Sequence, residues 1–247
     1  MSSRLLVYSA LSASMPFQMA LDELLFEQMI QTSQAEPAVS RAALRFYYAS
    51  EPWISLGYSH AGWKALSEGL EVPADLLSDA ARYPVCRRIT GGGRVLHGKD
   101  LMFTLIAPRA LDESFKSVMG SYARLHEVLV EALRAVGIEA RFYREEDSLP
   151  LGKDCFLHPI ASDLEADGKK IAGGGQKRSR GFLLHQESIH LAQTYLYEPL
   201  TRAFAEGLEK WFGCKPEKVD WQPEYLEAAE ILGREKYAVH APVKNED

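Results

Sequence analysis

Three glycines in a row, at 91–93, sit inside RRITGGGRVLHGKD (residues 87–100), between two runs with strand character, VCRRIT and DLMFTLIA. Between strands such a triplet reads as a turn. A turn without side chains lets main chain approach a neighbour or a ligand with no Cβ in the way, and its N–H groups can line an anion-binding concavity. Arg87, Arg88 or Arg94 would place a rigid cationic fork beside it. A plain hairpin with solvent-facing arginines explains the tripeptide equally well. The run matches neither a P-loop nor a dinucleotide fingerprint.

Helical and strand periods are mixed along the rest of the chain, without the regular alternation of a doubly wound sheet. After Pro16, the residues Phe17, Ala20, Leu21, Leu24, Leu25 and Met29 recur at helical spacing, with Asp22 and Glu23 as a solvated edge. ALRFYYAS and WISLGYS, parted by Glu51 and Pro52, read as strands, and Pro108 stops DLMFTLIA. A long helix carries Phe115, Val118, Met119, Tyr122, Leu125, Leu129, Leu133 and Val136 on one apolar face, with Gly137 at its C-terminal cap. IEARFY returns to strand. Asp167 and Gly168 mark a tight hairpin, which sets Glu165 opposite Lys170 and makes a cross-strand ion pair the plainest role for that lysine. FLLHQESIHLA is the next strand, and the tail from about residue 195 is mostly helical, with a proline-marked break at CKPEKVDWQPEY. The pattern predicts an α+β fold of mixed or antiparallel β-sheets with flanking helices, one domain over residues 1–247.

Composition narrows the function classes. The 247 residues are 47% hydrophobic and 25% charged, enough for a sizeable core, and the formal charge of −6 gives no basic footprint for nucleic acid. No apolar run approaches the ~20 residues that span a bilayer, and the first residues lack a signal-peptide h-region, so a cytoplasmic protein acting on neither nucleic acid nor membrane is expected. Cys86, Cys155 and Cys214 are few, odd in number and far apart, which suggests neither a disulfide framework nor a zinc cluster; no metal is expected.

A second triplet, Gly173, Gly174 and Gly175, follows Lys170 in DGKKIAGGGQKR, so the two clusters read as walls of one narrow cleft. His97 follows the first turn at strand spacing; a packed, hydrogen-bonded role and an acid–base role are both open to it. A free cysteine such as Cys155 is by default a small buried hydrophobe.

LRFYYASEPWISLGYSH, RRITGGGRVLH, GKKIAGGGQKR and AAEILGREKY fall in the order and spacing of the lipoate- and biotin-protein ligase catalytic-domain family, and the chain resembles that family from about residue 16 to about 237. It is most similar to the octanoyltransferases that use a cysteine nucleophile: CFLHP supplies Cys155, Phe156 and Pro159, and Gln176, Arg178 and Gly181 fit the same branch. The resemblance implies transfer of an octanoyl or lipoyl group from acyl carrier protein to a lysine of a lipoyl domain or of the glycine-cleavage H protein. It implies Cys155 as nucleophile and Lys170 at the acyl carbonyl, with Arg88, Gly91, Gly92, Gly93, His97, Gly173, Gly174, Gln176 and His185 binding substrate. Exchange of thioesters is nearly isoenergetic and aminolysis runs downhill, so no cofactor is expected. ATP and magnesium belong to the alternative, a lipoate-protein ligase; an inactive binding homologue is the other. The chain departs from the family pattern at Gly98, usually Asp, at the triplet 173–175, usually Gly-Ser-Ala, and at HQES, usually His-Gly-Ser or His-Gly-Thr.

Two protonation problems come with the transfer. A free thiol titrates near ~8.5, so Cys155 needs a neighbouring cation, for which Lys170 is the candidate. The acceptor lysine, near ~10.4, must lose a proton, to His97 or to the departing thiolate. Val95, Leu96 and WISLGY are candidates to line an apolar slot for the acyl chain.

Overall fold

The computed structural model describes residues 2–143 and 163–239. Its largest unit is an eight-stranded mixed sheet. At one end, β1 (Ser2–Ala13) lies parallel to both β2 (Val39–Ala49) and β11 (Pro216–Val219). Beyond β2 every pairing is antiparallel, through β6 (Leu101–Pro108), β10 (Phe182–Ile189), β9 (Lys169–Ser179), β8 (Leu164–Ala166) and β7 (Arg141–Phe142). A smaller three-stranded sheet places β3 (Trp53–Leu56) between β4 (Val85–Arg87) and β5 (Arg94–His97). The mixed sheets expected from the sequence are therefore present. Neither β1 nor β11 has a counterpart among the predicted elements: β11 occupies the proline-marked break in the tail, and IEARFY pairs only at Arg141 and Phe142.

Alternation along the central strands builds a core on each side of the large sheet. On one face Phe46, Phe103, Leu105 and Leu183 pack against α4 (Val118–Ala135) and α5 (Tyr197–Phe212), through Leu125, Leu129, Leu133, Phe204 and Leu208. On the other, Ala43, Tyr47, Ile106 and Leu184 meet α1 (Met15–Ala35) and α6 (Pro223–Leu232). The small sheet has its own core of Ile54, Leu56, Leu76 and Val85 beneath α2 (Ala61–Glu68) and α3 (Ala74–Ala80). The apolar spacing that suggests one helix from Phe115 onward is broken at Ser117, whose hydroxyl accepts from the Gly120 N–H at 2.9 Å and caps α4. Phe115 stays buried in a separate 3₁₀ turn, while Val118 and Met119, at 48% and 66% exposure, leave the packed face. Among the described residues, no helix is long and apolar enough to cross a membrane.

α1 is buried on more than one side, and this overturns the expected solvated edge at Asp22. Asp22 is 0% exposed and Arg45, on β2, is 1% exposed. Their ion pair spans 2.8 Å, and Asp22 also accepts from Thr104 (2.8 Å) and Gln186 (2.6 Å). Burial pushes the Asp22 carboxyl up, while Arg45 and those hydrogen bonds pull the other way. Glu23, half-buried, pairs with Lys236 and accepts from the Tyr237 hydroxyl.

Removing one partner leaves a buried, uncompensated charge. Asp22→Ala is expected to lose about 3–5 kcal/mol in urea unfolding, whereas replacing both partners, Asp22→Leu with Arg45→Met, recovers only the part due to the uncompensated charge, because Thr104, Gln186 and Gln18 lose their partners. A single-variant loss below about 1 kcal/mol, the range of exposed pairs, would show that the pair does not hold α1 to the sheet.

Candidate active site

The turn between β4 and β5 crosses over to the large sheet, and glycine makes the approach possible. A Cβ on Gly175 would lie 2.8 Å from the Gly91 carbonyl oxygen, and one on Gly57 would lie 1.9 Å from that of Gly92. The Thr90 hydroxyl donates to Gln186 Oε1 at 2.6 Å and ties the turn to β10.

Between the turn and the large sheet lies a narrow slot of about 40 Å³. Met15 and Met19 of α1, Tyr47 of β2 and Met102 of β6 supply its apolar walls; Arg88, Val95 and His97 close the side toward the small sheet, and the triplet 173–175 with Gln186, Glu187 and Ser188 closes the other. The two glycine clusters thus face one cleft. The expected apolar lining is only partly there: Val95 faces the slot, Leu96 is exposed, and Ile54 and Leu56 fill the small sheet's own core.

The arginines beside the turn are engaged by the protein itself. Arg88 donates to the Ser55 carbonyl (3.0 Å) and hydroxyl (2.7 Å) and to the carbonyls of Gly91 (3.2 Å) and Gly93 (3.0 Å). Arg87 stacks on the Tyr58 ring and donates to the Tyr58 carbonyl at 2.7 Å, and Arg94 pairs with Asp79 at 2.9 Å. Arg88 therefore braces the glycine turn, and the other two point to surface partners.

His97 is buried and held at both nitrogens, by Asp100 Oδ2 at Nδ1 (2.7 Å) and by the Ser55 hydroxyl at Nε2 (2.7 Å). Asp100 also accepts from the Gly98 N–H at 2.9 Å and from the Ser188 hydroxyl at 2.6 Å, and Ser188 lies 2.9 Å from His190 Nε2. Burial alone would push the Asp100 carboxyl up; the charge and hydrogen bond of His97, aided by His190 and Ser188, override it and hold Asp100 well below the usual carboxylate range. One hydrogen-bonded chain therefore runs from Arg88 through Ser55, His97, Asp100 and Ser188 to His190.

Lys170 adjoins the slot through Gly173, one of the residues that line it. The turn before it is the expected hairpin, with Asp167 at φ 52° and Gly168 at φ 72°, and Glu165 does lie opposite Lys170. The expected ion pair between them does not form. Lys170 Nζ lies 2.7 Å from Asp163, both side chains buried, and Glu165 pairs with Arg141. A Cβ on Gly173 would lie 2.6 Å from Lys170 Nζ, so the missing side chain is what leaves room for the ammonium there.

Strand parity separates the remaining predicted residues. Gly173 and Gly175 face the slot, whereas Gln176 and His185 face α4: Gln176 Nε2 lies 3.0 Å from the Ser121 hydroxyl and 3.1 Å from His185 Nδ1. Gly174 lines the slot with its main chain but directs its missing Cβ to the α4 side, toward Glu187 and His185. Gln186 and Ser188 take slot positions that the motif residues do not mark, although their alternation against His185 along one strand is present in the sequence. Cys155, with Phe156 and Pro159, lies outside the described residues.

A family model described as lipoyl protein ligase A/B catalytic domain matches residues 14–220. The octanoyltransferase LipM of Kyrpidia tusciae is 33% identical over 184 residues, which cover 72% of this chain and 62% of that protein, less than two thirds of its length. The octanoyltransferase LipM of Bacillus cereus is 26% identical over an alignment covering 90% of this chain and 91% of its own. A chain from the structural analysis of a bi-partite lipoate protein ligase and its E2 lipoyl domain from Thermoplasma acidophilum superposes with a TM-score of 0.63 at 18% identity, over 96% of this chain and 93% of its own. At that identity the likeness concerns the fold.

The depressed Asp100 carboxyl makes a pH prediction. A group whose folded pKa lies below its unfolded value of about 3.9 stabilises the fold above that pH and ceases to as protons bind. The stability gap between the natural chain and Asp100→Asn is expected to be full above about pH 4 and then to shrink by up to about 1.4 kcal/mol per pH unit on acidification. Thermal or urea unfolding at several pH values measures it; a gap constant down to pH ~2 would show that Asp100 gains nothing from His97.

Proposed function

We propose that this chain, which belongs to the lipoyl protein ligase A/B catalytic-domain family, moves an octanoyl group from the thioester of acyl carrier protein to a lysine of a lipoyl domain or of the glycine-cleavage H protein. The observation that carries this reading is the buried ammonium of Lys170 beside Gly173, which lines a slot walled by three methionines, Met15, Met19 and Met102. A methionine wall suits a slender aliphatic chain, because thioethers change rotamer readily and so open a slot this narrow.

In the proposed sequence the Cys155 thiolate attacks the donor carbonyl, the carrier thiolate leaves, and the octanoyl group rests on Cys155 as a new thioester. Lys170 supplies positive charge where the carbonyl oxygen turns anionic, and main-chain N–H groups of a glycine cluster add donors to it. The acceptor amine then attacks that thioester and Cys155 departs. With both His97 nitrogens committed to Asp100 and Ser55, the proton of the incoming amine passes to the departing thiolate. His97 then acts as a brace, linking the turn held by Arg88 to the strand that carries Ser188. Arg88, Arg87 and Arg94 are already engaged by protein groups, which favours carbonyl chemistry over the binding of an acyl-adenylate phosphate at the turn.

Intact mass spectrometry tests the proposal. Incubation with octanoyl-loaded carrier is expected to add one octanoyl mass to the protein; Cys155→Ser should abolish the adduct, and Lys170→Ala should slow its formation by about a hundredfold or more, a loss of the order seen when one oxyanion donor is removed. In a parallel mixture of lipoate, ATP, magnesium and an acceptor domain, modification that survives Cys155→Ser would establish the ligase instead. No adduct in either mixture would leave a binding homologue.

A further inference from the structure

Across the sheet from the slot, a second cluster takes no part in the proposed transfer. His126 of α4 and His185 and Glu187 of β10 bring three metal-ligand atoms within 4.8 Å of one another, all fully buried. Glu187 Oε2 lies 2.7 Å from His185 Nε2 and 3.0 Å from His126 Nε2. Glu187 Oε1 is buried and has no hydrogen-bond partner among the described residues. A buried carboxylate oxygen left without a donor or a cation is destabilising and calls for a ligand.

The opposite strand makes room for these atoms. Gly174 pairs directly with Glu187, and a Cβ on it would lie 2.4 Å from Glu187 Oε2 and 2.9 Å from His185 Nε2. Two departures from the family pattern, glycine at 174 and glutamate at 187, are thus one arrangement: the side chain missing from β9 is the space the carboxylate fills. Around the cluster the orientations are fixed. Phe103 stacks on the His185 ring at 5.8 Å and Tyr122 meets it edge-on at 4.9 Å, while the Gln176 carboxamide stands at His185 Nδ1.

We propose that His126, His185 and Glu187 form a structural zinc site, with Nε2 of each imidazole and both oxygens of Glu187 as ligands. Two imidazoles and a carboxylate are donors zinc accepts, and their complete burial beneath α4 assigns the ion a structural role. An imidazole that binds zinc through Nε2 carries its proton on Nδ1. At His185, Gln176 accepts it by turning its carboxamide oxygen inward. Ser121, which can donate or accept, stays bonded to Gln176 in either orientation, and Arg178, which gives up Gln176 Oε1 (3.1 Å), keeps the Ser117 carbonyl (3.3 Å) and the Ser121 hydroxyl (3.2 Å) as acceptors. Among the described residues neither Cys86 nor Cys214 belongs to the cluster, so cysteine spacing carries no sign of it. The site stands or falls independently of acyl transfer.

The test uses the full chain, produced without a histidine tag in zinc-supplemented medium and analysed by elemental mass spectrometry. About one zinc per chain is expected, together with a loss of at least about 2 °C in Tm after chelation that added zinc restores. Replacing zinc by cobalt(II) should give the visible absorption of a four-coordinate ion. Glu187→Gln keeps the shape but loses the chelating charge, and His126→Gln removes one ligand; each should lower bound zinc at least tenfold while circular dichroism confirms the fold. If either variant fails to fold, the natural chain's metal content, its Tm response and the cobalt spectrum decide. Zinc below a tenth of an equivalent with no Tm response to added zinc would overturn the proposal, as would stoichiometric zinc in both folded variants.

Discussion

The ion pair between Asp22 and Arg45 is the interaction on which the architecture of the slot depends. It joins α1 to β2 in a place from which water is excluded, and such a pair is tolerated only where further hydrogen bonds satisfy the remaining donors and acceptors. Arg45 also donates to the carbonyl and side-chain oxygens of Gln18. Asp22 draws in Thr104 from β6 and Gln186 from β10, and Gln186 takes the hydroxyl of Thr90 on the glycine turn. From one buried charge pair, hydrogen bonds reach α1, three strands of the large sheet and the loop of the small one. Met15 and Met19 stand where they do because α1 is locked in this register.

β9 and β10 serve two sites at once. Their alternation sends Gly173, Gly175, Gln186 and Ser188 to the slot and Gly174, Gln176, His185 and Glu187 to the α4 side. Each glycine of the triplet answers to a different neighbour: Lys170 at 173, Glu187 at 174, and the Gly91 main chain with Thr90 at 175. A one-residue slip of this pairing would exchange the two sets. The tight turn at Asp167 and Gly168, which belongs to the β8–β9 hairpin, fixes where β9 begins and so protects both arrangements.

What was legible in the sequence was local. The hairpin at 167–168 announces itself because two adjacent positive φ angles suit very few residue pairs, and Asp-Gly is among them. The two glycine clusters facing one cleft could be read because close approach of main chain leaves a mark on composition. Motif order gave the family, which the match over residues 14–220 shows. Asp22 could not be read: its neighbours in sequence describe a helix edge, and its partner lies 23 residues away on another element. The parallel pairing of β1 with β11 joins residues over 200 positions apart, and no local pattern encodes such contacts. Arg88 and His97 were legible as residues of the site but not as braces, since their role depends on Ser55 and Asp100, which no motif singled out. The position of Cys155 rests on the motif alone.

The glycine turn is tied by the four carbonyl and hydroxyl contacts of Arg88, by the Thr90 hydroxyl and by main chain packed on Gly57. Flexible loops of such composition surrender conformational entropy when something settles against them, about 1–2 kcal/mol for each residue ordered. Here the ordering is complete beforehand, within the folding equilibrium. A visitor to the slot meets a preorganised wall, and its residence is set by the contacts it makes rather than by the work of freezing a loop.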